Sequence, residues 1–292
     1  MKRVSIVGIA FVVLAVVANA DIGRRVISQQ IDPASYIGLW LLSAAIIAWF
    51  IYDVRRGEHT RNSVVGRQAE PMITWRLAGL AFLTIASAVF ASRLLDIGTL
   101  ALVMIAGVQG VLGLIAAPYR QIWQWAGVMM IFAGIGYLLA PGMYAPNTVG
   151  VLLGVISASA WATYWHQLQQ DASYAGFLFM SSLRLSLLLV MPLLIFTLPG
   201  LHISVWGGGL AMLAGSLFVV GSVVFWREVP RLYHLLWQKM VWVVILVVLI
   251  GWVAWDQSSM MNMRLTSAAV VVIVGVLVIG GANGSSSPGS SG

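Results

Sequence analysis

The stretch GTLALVMIAGVQGVLGLIAA, residues 98–117, contains no charged residue, and runs like it recur along the chain. About 20 consecutive apolar residues suffice for a helix to cross the hydrocarbon core of a bilayer. Inside that core every backbone polar group needs an internal partner, which leaves helices and closed barrels as the spanning structures. Barrel strands alternate apolar and polar residues, and these runs are continuous, so helices are expected. Spans fall near 4–28, 35–53, 73–92, 98–117, 123–140, 147–168, 174–198, 206–226, 232–254 and 265–281. The expected fold class is therefore an all-α polytopic membrane protein with ten transmembrane helices. The tail GSSSPGSSG lies beyond the last span, and residues 283–292 read as an appended linker.

Composition excludes a soluble alternative. Charged residues make up 9% of the 292 positions and hydrophobic residues 60%, whereas a soluble domain carries about 25% charged residues. The absence of cysteine rules out disulfides and thiolate chemistry. The excess of 16 Lys+Arg over 9 Asp+Glu reads as topology, not nucleic-acid binding. With the N-terminus inside, eleven basic residues (Lys2, Arg3, Arg55, Arg56, Arg61, Arg67, Arg76, Arg120, Arg227, Arg231, Lys239) fall on the inner side. Four fall outside (Arg24, Arg25, Arg93, Arg264), and Arg184 lies within a span. Basic residues collect in cytoplasmic loops, so N-in/C-in placement in the inner (plasma) membrane is expected.

The first span raises a separate question. Lys2 and Arg3, an apolar run and then Ala18-Asn19-Ala20 have the form of a secretory signal and its cleavage site. The alternative is a retained helix with Asn19, Asp21, Arg24 and Arg25 inside it. A repeat favours retention. ISQQIDPASYIG after the first span resembles QLQQDASYAG after the sixth, pairing Gln29-Gln30 with Gln169-Gln170, Asp32 with Asp171, Tyr36 with Tyr174 and Gly38 with Gly176. The fifth and tenth spans also correspond, with Gly134 opposite Gly275. Odd-numbered repeats invert, so residues 1–143 and 144–282 are expected to form two inverted five-helix halves, an arrangement associated with transporters whose sites lie where the halves meet.

Ten helices in two halves, with AWATYW in the sixth span and GVMMIFAGIGYLL in the fifth, resemble the EamA-type drug/metabolite transporter superfamily. That resemblance implies a carrier, and export of amino acids or related metabolites. In that family an Arg early in the second helix of each half is typical; Arg184 matches the position in one half, while the first half has small residues near Ser43. The fourth and ninth helices carry Gln109-Gly110 and Gln238-Lys239 where the family often has proline.

Intramembrane charges tend to face a cavity or a partner, since each costs about 2.5–3.5 kcal/mol to insert. Asp21 can pair with Arg24 or Arg25 along the helix, leaving one surplus cation that either reaches the outer headgroups or binds a solute carboxylate. Arg184 has apolar or small neighbours on both sides and is a candidate for a structural pair or a solute contact. Lys239 sits where it can snorkel. Trp161 and Trp165 share one helical face with Tyr164 beside them, and Tyr233 lies near the ninth span. Most other tryptophans, Trp40 among them, fit interfacial belts. The expected solute-binding set is Arg24, Arg25, Gln109, Trp161, Trp165, Arg184, Tyr233, Gln238 and Lys239, with Asp21 a candidate for proton coupling. A carboxylate-bearing solute, such as an aromatic amino acid, fits basic and aromatic side chains. No cofactor, metal or nucleic-acid partner is expected: His59, His166, His202 and His234 are scattered, and GVQGVLG lacks the Lys-Ser/Thr of a phosphate loop. A membrane-embedded enzyme acting on a lipid-linked substrate at the cytoplasmic face is the rival, on the gathering of His166, Asp171, Arg227, Glu228 and His234. A non-transporting sensor or scaffold, which would have no solute-sized cavity, is a third class.

Overall fold

A computed structural model describes residues 6–27, 29–54, 71–115, 122–142, 145–170, 175–228, 243–245, 247, 248, 251 and 263–282. Its elements among the described residues are α1 (Ile6–Ile27), α2 (Pro33–Trp49, running into a π-turn at Phe50–Val54), α3 (Pro71–Ser92), α4 (Ile97–Ile115), α5 (Ile122–Leu139), α6 (Thr148–Gln170), α7 (Ala175–Thr197), α8 (Val205–Glu228) and α9 (Met263–Ala282). Seven are long and apolar enough to cross a membrane, so the chain is a multi-pass helical membrane protein. The expected span at 232–254 lies almost entirely outside the described residues.

Four of the helices that begin at one end of the bundle start with the same device. Asp32, Asp96, Asn147 and Ser204 precede α2, α4, α6 and α8. Each accepts from the backbone N–H three residues on: Ser35 at 2.9 Å, Thr99 at 2.8 Å, Gly150 at 3.1 Å and Gly207 at 2.9 Å. An oxygen-bearing side chain at this position satisfies one of the orphan donors of the first helical turn. Pro33 reinforces the start of α2, because its fixed φ suits the first helical turn and it has no N–H to orphan.

At this capped end two distant loops are tied together. Ile31 and Ile203 form an antiparallel bridge. It is flanked by Asp32 N–H to His202 O at 2.9 Å and Ser204 N–H to Gln30 O at 2.9 Å. The Asp32 carboxylate also accepts from the His202 N–H at 3.0 Å. Burial acts to raise the Asp32 carboxyl, but hydrogen bonds from Ser35 and from the backbone N–H groups of His202 and Ala34 outweigh it and hold it below its ordinary value.

The helices pack in a pattern with an internal symmetry. The extensive contacts are α5 with α9, α3 with α6, α2 with α8, α1 with α8, α4 with α6, α3 with α7 and α2 with α7. Exchanging α1 with α6, α2 with α7, α3 with α8 and α5 with α9 turns α3–α6 into α1–α8 and α2–α8 into α3–α7. The same exchange maps α2–α7 and α5–α9 onto themselves. Matching polar ties occur in the first related pair. Asn19 of α1 donates to the Ala214 carbonyl of α8 at 2.6 Å, and Ser157 of α6 donates to the Thr84 carbonyl of α3 at 2.7 Å.

The apolar core forms two large clusters, one around α4, α5 and α9 and the other around α2, α3, α6, α7 and α8, with a small third one of Val108, Ala158 and Ala162. In the first, α5 and α9 meet backbone to backbone. A Cβ on Gly127 would lie 2.7 Å from the Gly275 carbonyl oxygen, and a Cβ on Gly275 would lie 2.7 Å from that of Gly127. Only residues without side chains allow this approach. Two turns further along α5, Gly134 packs against Val272 in the same crossing.

Candidate functional site: a central aromatic cavity

Between the two core clusters lies a cavity of about 340 Å³, lined by α1, α2, α3, α4, α6, α7 and α8 together with Ile245. Its size is at the lower end of the range for small-molecule sites, about 300–1,000 Å³. It reaches the capped end, since Arg24 and Ile27 of the last turn of α1, Ser92 at the end of α3 and Ile97 at the start of α4 all line it.

Two kinds of wall make the space. On α1 the lining residues include Ala15, Asn19 and Gly23, and on α3 they include Ala81, Ile85, Ala88 and Ser92. Spacings of three and four residues put each set on one helical face, and the mostly small side chains leave room. Opposite them stand aromatic rings from α2, α6 and α8. Phe218 lies 4.8 Å from Trp40 and 5.6 Å from Trp161, centroid to centroid. Trp161 in turn stacks on Tyr164 at 5.6 Å and 21°, and tilts against Trp165 at 6.2 Å. Tyr164 is fixed from behind, its hydroxyl 2.9 Å from Ser182 Oγ, while Ser182 donates to the Phe179 carbonyl at 2.9 Å.

Polar character is sparse and sits mainly near the mouth. Arg24 is half-buried and lines the cavity. Arg25, the next residue round the helix, has its side chain 58% exposed and pairs with Asp21 at 2.8 Å. The two arginines of the first span thus part: Arg24 lines the cavity and Arg25 faces away from it. The Tyr36 ring also lines the mouth, and its hydroxyl would lie 3.4 Å from a Cβ on Gly23.

Of the side chains expected from sequence, the cavity takes Arg24, Trp161 and Trp165. Arg25 and Asp21 lie off it, held to each other. Arg184 lies elsewhere as well. On α7, Ser182, Leu183, Ser186 and Val190 are buried, whereas Arg184, Leu188, Met191 and Ile195 form an exposed stripe at helical spacing. An apolar neighbourhood in sequence is therefore no guide to the inside of this helix, because its lipid-facing side is equally apolar. Gln109 is fully buried within α4 beside the lining residue Val108, and does not line the cavity. Tyr233, Gln238 and Lys239 lie outside the described residues. Of the polar group that motivated an enzyme reading, His166 meets Gln170 at 3.1 Å on an exposed face, and Asp171 and His234 lie outside the described residues.

Trp40 was the main omission. It fits an interfacial belt by position, yet it is 4% exposed and lines the cavity. Asn19, Tyr36 and Phe218 were also missed as lining residues. The available signal was the four-residue spacing of Ala15, Asn19 and Gly23, which marks a face with no bulk.

No family model matches the chain. A protein of Pseudomonas aeruginosa, described as uncharacterized, is 30% identical to it over 155 residues, 52% of this chain. The match spans about half (51%) of that relative's length. A solved protein crystal structure superposes with a TM-score of 0.57 over 93% of this chain and 94% of its own, at 15% sequence identity. The helical fold is one that an experimentally solved protein shares. At that identity the likeness extends to fold and not to activity.

Proposed function

We propose that the chain is a carrier of small organic solutes, such as amino acids and related metabolites, working by alternating access through the central cavity. In this reading it has ten helices in two inverted five-helix repeats and belongs with the EamA-like drug/metabolite transporters. Its capped end faces outward from the inner membrane, and its physiological direction is export. The carrying observation is the cavity itself: it is solute-sized, lined from both halves of the chain, and furnished with Arg24 and a ring cluster. The symmetric exchange of helix contacts supports the repeat, as does the pairing of Asn19→Ala214 with Ser157→Thr84. Inverted repeats place a solute site at their interface and let it open to either side by rocking one half on the other.

The test uses the absence of native cysteine. Single cysteines at Ala88 and Gly221 are labelled in proteoliposomes with membrane-impermeant maleimides from each side. A carrier shows solute-dependent changes in labelling and counterflow of labelled solute. A static scaffold or an enzyme shows neither, and that result would remove the reading.

A further inference from the structure

Resting on the reading of the cavity as a solute site, we infer that the solute is selected by its body: a flat aromatic ring that lies against Trp161 and Phe218, the two side chains that set this preference. Both line the cavity, and both are half-buried, so each keeps part of its surface uncovered. Helical spacing shows which way that surface is turned. On α8, Phe218 follows Ala211 and Ala214 by seven and four residues, and both are fully buried. On α6, Trp161 lies four residues after Ser157 and seven before Leu168, and these too are fully buried. Residues at such spacings share one helical face. The uncovered part of each ring therefore borders the cavity and not the lipid.

The neighbouring rings have a different part. Trp40, Tyr164 and Phe179 are buried, none of them more than 4% exposed, and have no surface left to offer. They back the other two. Trp40 and Phe179 lie 4.8 Å and 6.4 Å from Phe218, and Tyr164 lies 5.6 Å from Trp161. A front pair thus rests on a back layer that holds it in place. Trp161 and Phe218 meet at 64°. Two ring planes inclined in this way let a third ring stack on one and meet the other edge to face, the two arrangements that aromatic pairs prefer.

Aromatic character and apolar area make opposite demands here, which separates them. A cyclohexyl group carries more hydrogens and more apolar surface than a phenyl group, so burial by area alone favours the saturated ring. Only the aromatic ring gains the further attraction between ring quadrupoles. A cavity walled by aliphatic side chains would follow the first rule; one whose uncovered surface is supplied by Trp161 and Phe218 follows the second. The preference belongs to the ring and holds for whichever polar group the solute carries, so the solute class is narrowed by body and not by charge.

The test uses three matched pairs that differ only in the ring: 3-phenylpropanoate and 3-cyclohexylpropanoate, phenylalanine and cyclohexylalanine, 2-phenylethylamine and 2-cyclohexylethylamine. Binding to the purified full chain in detergent is measured by equilibrium dialysis. In the pair that binds most tightly, the phenyl member should bind at least about three-fold more tightly than its cyclohexyl partner. Phe218→Leu and Trp161→Leu should each bring that ratio toward one or reverse it, a change that a general loss of affinity would not give. Phe196→Leu, at an exposed ring off the cavity, should leave the ratio unchanged. A smaller ratio, or a cyclohexyl member that binds better, overturns the inference. So does failure of all six to bind, a ratio that a folded Phe218→Leu or Trp161→Leu protein retains, or one that Phe196→Leu lowers as much. If the two cavity variants do not fold, the ranking on the unmodified chain still decides. Failures of the two readings are distinguishable: phenyl-selective binding without flux removes the carrier and keeps this inference, whereas flux with no phenyl preference does the reverse.

Discussion

The α5–α9 crossing and the cavity wall are made from the same apolar alphabet, yet one closes completely and the other stays open. At the crossing, glycines on both helices face each other and the backbones touch. Around the cavity, small residues on α1 and α3 face aromatic rings from α2, α6 and α8, and the rings prop one another apart. Small against small brings backbones together, while small against large leaves a space the rings do not fill. In a bilayer, where apolar surface alone does not drive helices together, van der Waals fit of this kind and hydrogen bonds decide which pairs close. The polar ties Asn19→Ala214 and Ser157→Thr84 then hold the open part in place without filling it.

That contrast can be broken at its tight side first. Gly127→Ala drives a methyl against the Gly275 carbonyl and should destabilise the fold by up to about 3 kcal/mol, the scale of overpacking, seen as a lower midpoint in detergent unfolding. Gly136→Ala on the same helix is the control. A Cβ there meets nothing within 4 Å, and the change should be neutral or stabilising by about 0.5–1 kcal/mol. A similar loss in both variants would show that close approach is not what the crossing depends on.

The open side should respond less. Asn19→Ala removes a side-chain hydrogen bond between α1 and α8, and Ser157→Ala removes its counterpart between α6 and α3. Each should cost about 0.6 kcal/mol and at most about 1.7 kcal/mol, the mean and the maximum measured for interhelical hydrogen bonds in a membrane protein, by the same unfolding assay. If the two ties do equivalent work, their costs will agree within about 0.5 kcal/mol; a much larger effect for one would mark the halves as mechanically unequal.

The smallest effect concerns pH. Asp32 has a folded-state pKa below its unfolded value, so its contribution is fully present above the unfolded value and is lost as pH falls through the folded one. Asp32→Asn should flatten the acid limb of a thermal-stability profile below about pH 4 and leave stability at neutral pH only slightly lower. An unchanged acid limb would show that the cap and clip do not titrate as a unit.

Helix positions were readable from sequence because hydropathy changes abruptly at loops. The expected 98–117, 123–140 and 174–198 are found as Ile97–Ile115, Ile122–Leu139 and Ala175–Thr197. The faces of those helices were not readable, for a physical reason. A soluble helix shows its buried side by contrast with a polar one, whereas here both sides are apolar and the contrast vanishes. Arg184 and Trp40 show the effect: Arg184 lies on the exposed face of α7, and Trp40, at an interfacial position by sequence, lines the cavity. Arg24 and Arg25 differ by a single residue, about 100° round the helix, and only the packing of α1 against α8 decides which of them meets the cavity.

The cap of α2 has a consequence for how the chain is made. Asp32 lies at the first turn of the bundle, but the N–H that one of its carboxylate oxygens accepts belongs to His202, 170 residues later. Synthesis runs from the N-terminus, so the first helical hairpin reaches the bilayer with its capped corner unfinished. It stays unfinished until α7 has been threaded and the loop before α8 has emerged. The bridge is thus a late closure that dates the assembly: the Asp32 amide donates to the His202 carbonyl, and its protection from exchange should appear only in nascent chains that extend past Ser204.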